Sequence, residues 1–237
     1  MKHILLFGLL LAFTVSCKNN TTTTPTATSE DAKSKEIKRL LEEANHLWSP
    51  PADSSFTLNN STTEHISIND KEIWAKLDSA LAIDSTNIKA YLARTNYLIA
   101  CKKFQEVLPI LRTAEKKAPF NAELWSMKAV FEDYYGDSLV AQKNYRSADS
   151  AYAIYIEQYA TDSIAYPAYR MSRALNMALM TDNFTPFEEE LKFTQKVFPK
   201  SWGGIDKNFF GKNKKDFFNK FFNGQEYKSK DDIMPQE

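Results

Sequence analysis

Asn87 to Ala148 reads NIKAYLARTNYLIACKKFQEVLPILRTAEKKAPFNAELWSMKAVFEDYYGDSLVAQKNYRSA, and the spacing inside it decides the fold. Tyr91, Leu98, Val107, Leu111, Ala114 and Pro119 recur 34 residues later as Trp125, Glu132, Ala141, Tyr145, Ala148 and Ala153. The recurrence keeps an aromatic residue in an opening helix and small or aromatic residues in a second one. It breaks at Glu132 and at Ala153. Running the frame backwards from Pro119 lands on Ser85, with Leu77 and Ala80 at the spacings of Leu111 and Ala114, so an earlier second helix fits as well. Amphipathic helices in antiparallel pairs, an all-α fold, are the expectation.

The flanking sequence extends the pattern in both directions. From Ser34, the residues Ile37, Leu40, Leu41, Ala44, Leu47 and Trp48 share one helical face, and Pro50-Pro51 ends that helix. A polar loop over 49–70 follows, longer than helix pairs ordinarily need. Ile73, Trp74, Leu77, Ala80 and Leu81 form the next inner face, closed by Asp84-Ser85. Asn87 is placed to cap a helix with the stripe Ile88, Tyr91, Leu92, Thr95, Leu98 and Ile99, whose partner spans about Phe104 to Lys117. After Ala122–Phe131 and a turn at Gly136-Asp137, a helix capped by Asp137 begins at Ser138 and runs long. Ala141, Tyr145, Ala148, Tyr152, Tyr155 and Tyr159 alternate steps of four and three along it, a seam for neighbouring helices or an aromatic platform for a ligand. Asp162-Ser163 opens a helix to about Met180, and Thr185-Pro186-Phe187-Glu188 reads as a capping box for the one after it. The repeat domain spans 34–200 on this reading. The segment 201–237 differs in kind, with Phe217, Phe218, Phe221 and Phe222 on one face among lysines; it is expected to be a capping helix, with a bilayer-contacting patch as the alternative.

Composition narrows the function. Thirty basic residues balance thirty acidic ones in 237, so no global field draws the chain to nucleic acid, which is not expected as a partner. No Gly-x-Gly-x-x-Gly or Gly-x4-Gly-Lys-Ser/Thr run cradles a phosphate. His3, His46 and His65 lie in unrelated segments, and no Gly-x-Ser-x-Gly, His-Glu-x-x-His or Cys-His arrangement is present. Neither a metal, a cofactor nor catalysis is expected, and a cell-wall enzyme is the least favoured function. Cys101 has no partner for a disulfide and reads as a small hydrophobe at a helix end.

The first sixteen residues have a basic start at Lys2 and His3 and an apolar run from Ile4 to Val15, an export signal too short for the roughly 20 residues of a spanning helix. Thr14-Val15-Ser16-Cys17 resembles a bacterial lipoprotein box, with Thr14 in place of the usual leucine. That resemblance implies cleavage before Cys17 and its acylation, which anchors a chain to a membrane at roughly 0.8 kcal/mol per buried methylene. Lys18 after the cysteine implies the outer membrane, and the lack of an acidic run after it implies the periplasmic side. Residues 17–33, rich in Thr, Asn and Pro to Ser29, read as a flexible tether.

The 34-residue period, with Ala141, Tyr145 and Ala148 as its best-matched element, resembles the tetratricopeptide repeat. Together with the leader, the chain looks like a tetratricopeptide-repeat lipoprotein of a Gram-negative, Bacteroidota-like bacterium. The resemblance implies a right-handed superhelix of helix pairs that binds a protein or peptide on a concave face lined by the first helix of each pair. Carried over residue by residue, that face comprises Lys89, Asn96, Glu123, Asp133, Tyr134, Tyr169 and Asn176. Leu92 stands where the family's carboxylate clamp has a lysine, so recognition of an acidic peptide end is not expected. The layout is also similar to the repeat lipoprotein of the β-barrel assembly complex, and more distantly to starch-binding lipoproteins, which are about twice as long. Five Asp-Ser pairs, at Asp78, Asp84, Asp137, Asp149 and Asp162, resemble an acceptor sequence for O-linked glycans in some outer-membrane bacteria, although helix capping accounts for three of them.

Overall fold

A computed structural model describes residues 29–48, 62–118, 120–206, 208 and 210–222. The leader, Cys17, Pro119, Lys207, Phe209 and the final fifteen positions from Asn223 lie outside the described residues, as does the loop over 49–61. Every regular element described is a helix. These are α1 Ser29–Trp48, α2 Thr62–Ile83, α3 Ile88–Ala100, α4 Phe104–Lys117, α5 Ala122–Tyr135, α6 Ser138–Gln158, α7 Ala165–Thr181, α8 Thr185–Val197, α9 Pro199–Trp202 and α10 Lys214–Phe221. The helices form two compact units, α1–α4 up to Phe120 and α5–α10 from Asn121 onward, with consecutive helices packed on one another from α1 to α4 in the first and from α5 to α9 in the second.

The repeat is visible in the caps as well as the helices. Asn87 Oδ1 accepts the Ala90 amide at 3.1 Å, and Asn121 Oδ1, 34 positions later, accepts the Leu124 amide at 3.0 Å. Helices α3 and α5 start 34 residues apart, at Ile88 and Ala122, and α4 and α6 start 34 apart, at Phe104 and Ser138. The ends of α2 and α4, Ile83 and Lys117, keep the same interval. One amide bond per helix start satisfies a donor that the helix itself leaves orphaned, so the same asparagine at the same place sets the same register twice.

In the first unit, Tyr97 is the hub. Trp74 packs edge-on against it at 5.7 Å and Trp48 at 6.3 Å, while its hydroxyl donates to Asp70. Ala44, Ile73 and Leu77 complete this core, and Ile37, Leu40, Ala80 and Ala90 form its neighbour. Lys76 on α2 pairs with Glu43 on α1 at 2.7 Å, and Arg94 on α3 reaches Asp78 on α2 while lying 4.9 Å over the Trp74 ring. Cys101, half-buried beside Tyr97, has its thiol pushed up by burial.

Three boundaries differ from the sequence expectation. Helix α1 starts at Ser29 instead of Ser34, which shortens the 17–33 tether; Glu30 and Asp31 fall in its first turn, where the helix dipole favours acid. Helix α2 starts at Thr62, so the 49–70 loop loses its last nine residues to a helix. There Asn69 donates to the Leu47 carbonyl at 3.4 Å and Asp70 receives both Tyr97 and Lys103, tertiary bonds that hold a polar stretch lacking an apolar stripe. Thr185 lies inside α8 and makes no cap; Asn183 Oδ1 accepts the Thr185 amide at 3.2 Å in its place.

In the second unit α6 is the long helix that the tyrosine seam requires, and Ala141, Tyr145, Ala148 and Tyr152 are buried along it. The frame break at Glu132 has a physical use. Its buried carboxylate accepts the Asp137 amide at 3.3 Å and lies where a Cβ on Gly136 would meet Oε2 at 2.1 Å. Asp137 in turn caps α6 through the Leu139 and Val140 amides.

The aspartates of all five Asp-Ser pairs make side-chain bonds. Asp84, Asp137 and Asp162 accept backbone amides at helix ends, whereas Asp78 and Asp149 pair with Arg94 and Arg173.

The phenylalanine-rich segment folds inward. Phe217, Phe218 and Phe222 are buried, so these rings are not free to enter a bilayer. Their destination is α5 rather than the outer side of α8. Phe222 stacks on Tyr134 at 3.9 Å and meets Phe131 edge-on at 5.4 Å, and Phe218 lies 5.6 Å from Tyr134. Gly211, at φ +79°, makes the turn into α10, and the Asn213 side chain caps that helix. Helix α8 is covered instead by the stretch after it: Gln195 Nε2 donates to the Ile205 carbonyl at 2.7 Å, Trp202 is buried, and Phe210 packs on Phe187 at 4.6 Å.

Candidate binding face

The seven positions assigned to an open face separate into distinct environments. Lys89 is exposed on α3, and Asn96, half-buried on the same helix, has an Oδ1 without a partner among the described residues. Both belong to the first unit.

In the second unit, Asp133, Tyr134 and Asn176 gather at the end where α5 turns into α6 and α7 into α8. Asp133 accepts the Lys214 ammonium at 2.9 Å and the Tyr145 hydroxyl at 3.2 Å. Tyr134 lies under Phe222. Asn176, 1% exposed, donates to the Tyr145 carbonyl at 2.9 Å and so turns toward α6. These three side chains are occupied by the chain itself. Repeat numbering alone could not show that for Asp133 and Tyr134, because α10 begins at Lys214, 80 positions beyond Tyr134.

The remaining two positions, Glu123 and Tyr169, meet at the opposite end of α5–α7, around Tyr152. Antiparallel packing brings the start of α5, the last turns of α6 and the start of α7 together there. The buried Tyr152 hydroxyl has the Ser126 and Ser172 hydroxyls as hydrogen-bonding neighbours and feels the Glu123 carboxyl electrostatically. Burial raises the Tyr152 phenol well above its usual range, so it stays neutral. Burial also raises the Glu123 carboxyl, against the opposing pull of its own backbone amide, and Oε2 meets no hydrogen-bond partner among the described residues. The α5 dipole favours a negative charge in this first turn, yet desolvation prevails.

Tyr169, itself buried, packs between this interior and two half-buried tyrosines. Its ring is 6.4 Å from Tyr152, 5.0 Å from Tyr155 and 5.4 Å from Tyr159, and the last two are themselves 6.5 Å apart. Tyr155 and Tyr159 are half-buried, at the end of α6 that outlasts the repeat. The tyrosine seam therefore divides: Tyr145 and Tyr152 are core, while Tyr155 and Tyr159, packed on the buried Tyr169 of α7, form an aromatic ledge. Such a group can hold apolar surface, accept hydrogen bonds and present π-faces to a cation. Ser126 and Ser172 were not singled out from sequence. Each stands three residues after a singled-out position, Glu123 or Tyr169, and that one-turn spacing was the available signal.

No protein-family model, curated protein or solved structure matches this chain. No helix among the described residues is long and apolar enough to cross a membrane.

Proposed function

We propose that this protein is a lipid-anchored adaptor of the bacterial cell envelope, which holds a partner protein through the ledge that Tyr155 and Tyr159 form on the buried Tyr169. Its helix pairs are tetratricopeptide-like repeats wound in a right-handed superhelix, and acylated Cys17 tethers them to the outer membrane, facing the periplasm. The adaptor performs no chemistry of its own. The observation that carries the binding role is the ledge itself. Tyr155 and Tyr159 leave the interior seam to stand half-buried at the end of an extended helix, packed on the buried Tyr169 of α7. The repeated Asn87 and Asn121 caps support the repeat reading, since unrelated helices have no reason to share one 34-residue register.

The test is capture from an envelope extract by the immobilised protein, compared with the Tyr155→Ala/Tyr159→Ala variant. A discrete protein retained by the wild type and lost by the variant is expected; identical profiles from both would refute the ledge as the binding face. Radiolabelled palmitate should enter the wild type and not Cys17→Ser, and equal labelling of the two would refute the tether.

A further inference from the structure

The opposite end of α5 from the ledge receives a segment that carries its own shape. Within 210–222, the Asn213 side chain caps α10 by accepting the Asp216 amide at 2.8 Å, and the Asp216 carboxylate accepts the Lys212 amide at 3.2 Å. Gly211 folds so closely onto α10 that a Cβ there would fall 2.6 Å from that of Asp216. The chain enters this segment through Asp206 and Asn208, both exposed, after Gln195 has fixed the Ile205 carbonyl at 2.7 Å.

The receptor for the segment is selective in charge and in shape. The Lys214 ammonium lies 2.9 Å from Asp133, the two side chains being 15% and 7% exposed, and the Lys214 amide donates to Asp182 at 2.6 Å. Phe218 and Phe222 pack on Tyr134, Phe221 and Phe222 meet Phe131 edge-on, and Phe210 packs on Phe187. Helix α10 has 8 residues, fewer than the roughly 12–15 that sustain an isolated helix in water, so its helical form depends on a receptor.

We infer that the receptor also takes this segment from a second copy of the chain, two molecules exchanging 210–222 so that Lys214 of each pairs with Asp133 of the other. Every docking contact made within one molecule is remade between two and no new surface is needed, which makes an exchanged element a low-cost route to a dimer. A second copy is favoured over an unrelated protein because it carries the complement residue for residue, a lysine one turn ahead of paired phenylalanines. A short connection keeps the segment at an effective concentration of roughly a millimolar at its own receptor, so exchange competes once copies reach that density.

The test is charge reversal between molecules, on full-length protein in detergent micelles. Asp133→Lys and Lys214→Glu each oppose like charges within one molecule, and hydrogen exchange across 214–221 should rise at least about tenfold in either variant alone. In the mixture, Lys214 of the first variant meets Asp133 of the second, and the two introduced charges meet at the other receptor. Return of 214–221 to wild-type protection on mixing is the expected result. Exchange that stays fast in the mixture, while Asp133→Lys/Lys214→Glu in one chain restores protection, overturns the inference.

The wild type gives a second reading without altered charges. Light and nitrogen-15-labelled protein, mixed at about 1 mM and coupled with a zero-length carbodiimide, should yield Lys214–Asp133 cross-links that join one light and one heavy peptide. Same-isotope cross-links alone overturn the exchange, as do mixed ones that persist in Phe218→Ala/Phe222→Ala. Neither experiment alters Tyr155 or Tyr159, so a negative result leaves the ledge standing.

Discussion

Adding one methyl group to the α5–α6 turn tests whether Glu132 belongs to the architecture. A Cβ at Gly136 falls 2.1 Å from Glu132 Oε2, whereas unstrained contacts lie near 3.5 Å, so the carboxylate must retreat by more than about 1 Å. It has little room to do so, being 2% exposed. The bond it accepts from the Asp137 amide is already 3.3 Å long and breaks on that retreat. Losing a long charge-assisted bond costs about 1–2 kcal/mol, and crowding a packed interior adds about 1 kcal/mol. Gly136→Ala should therefore destabilise the second unit by roughly 2–3 kcal/mol. In a double-mutant cycle with Glu132→Ala, the clash disappears from the double variant while any backbone preference of Gly136 remains in both arms. A coupling of about 1.5 kcal/mol is expected by urea unfolding followed through helical circular dichroism. Additivity within about 0.5 kcal/mol would refute the contact and with it this explanation of the broken repeat.

Other perturbations follow from the same interactions. The Ala165 and Ile164 amides hold the Asp162 carboxyl below the usual carboxylate range, so its contribution is present above the unfolded-state value and is lost as acidification passes through the lower folded one. Asp162→Ala should cost about 1 kcal/mol at neutral pH, and Asp162→Asn should keep most of the cap while flattening that acid limb. Glu123 has the opposite sign: its carboxyl is raised in the fold, so its ionisation is a liability that grows as pH rises through the folded value. Relative to Glu123→Gln, the wild type should lose stability as pH rises above the ordinary carboxylate range, and parallel melting curves there would refute the burial argument. Phe218→Ala opens a cavity under α10 of the kind that costs about 3–5 kcal/mol in a core. Because α10 docks by side chains near the end of the described chain, the expected result is local release: hydrogen exchange rises across 214–221 while α1–α4 stay protected.

How far the sequence could be read is best judged from particular residues. Asn87 and Asp137 were legible because an N-cap is a local device, written within three residues of the amide that it satisfies. The lengths of α3 to α6 followed from apolar spacing for the same reason. The start of α2 was not legible, because Thr62 to Ile68 carries no amphipathic stripe and Asp70 is held by Tyr97 and Lys103 from α3 and the turn after it. The goal of Phe218 and Phe222 was equally hidden. An aromatic face announces that it will be buried, and only the tertiary fold shows that Tyr134 receives it. Asp133, Tyr134 and Asn176 illustrate the cost of carrying a repeat's open face across a chain with added parts, since α10 and Phe222 after it engage the first two and the α6 backbone the third. Glu123 and Tyr169 could be named but not joined, because the residue that joins them, Tyr152, belongs to the added length of α6.

Site-specific photo-crosslinking in the living cell bears most directly on the binding role. A photoreactive phenylalanine at position 155 on the ledge is compared with the same group at Leu139, 79% exposed at the other end of the same helix. One discrete adduct with another protein from position 155, absent from position 139, is the predicted result. Adducts of equal yield from both positions, or none from position 155, would contradict the assignment of this ledge as the surface through which the protein acts.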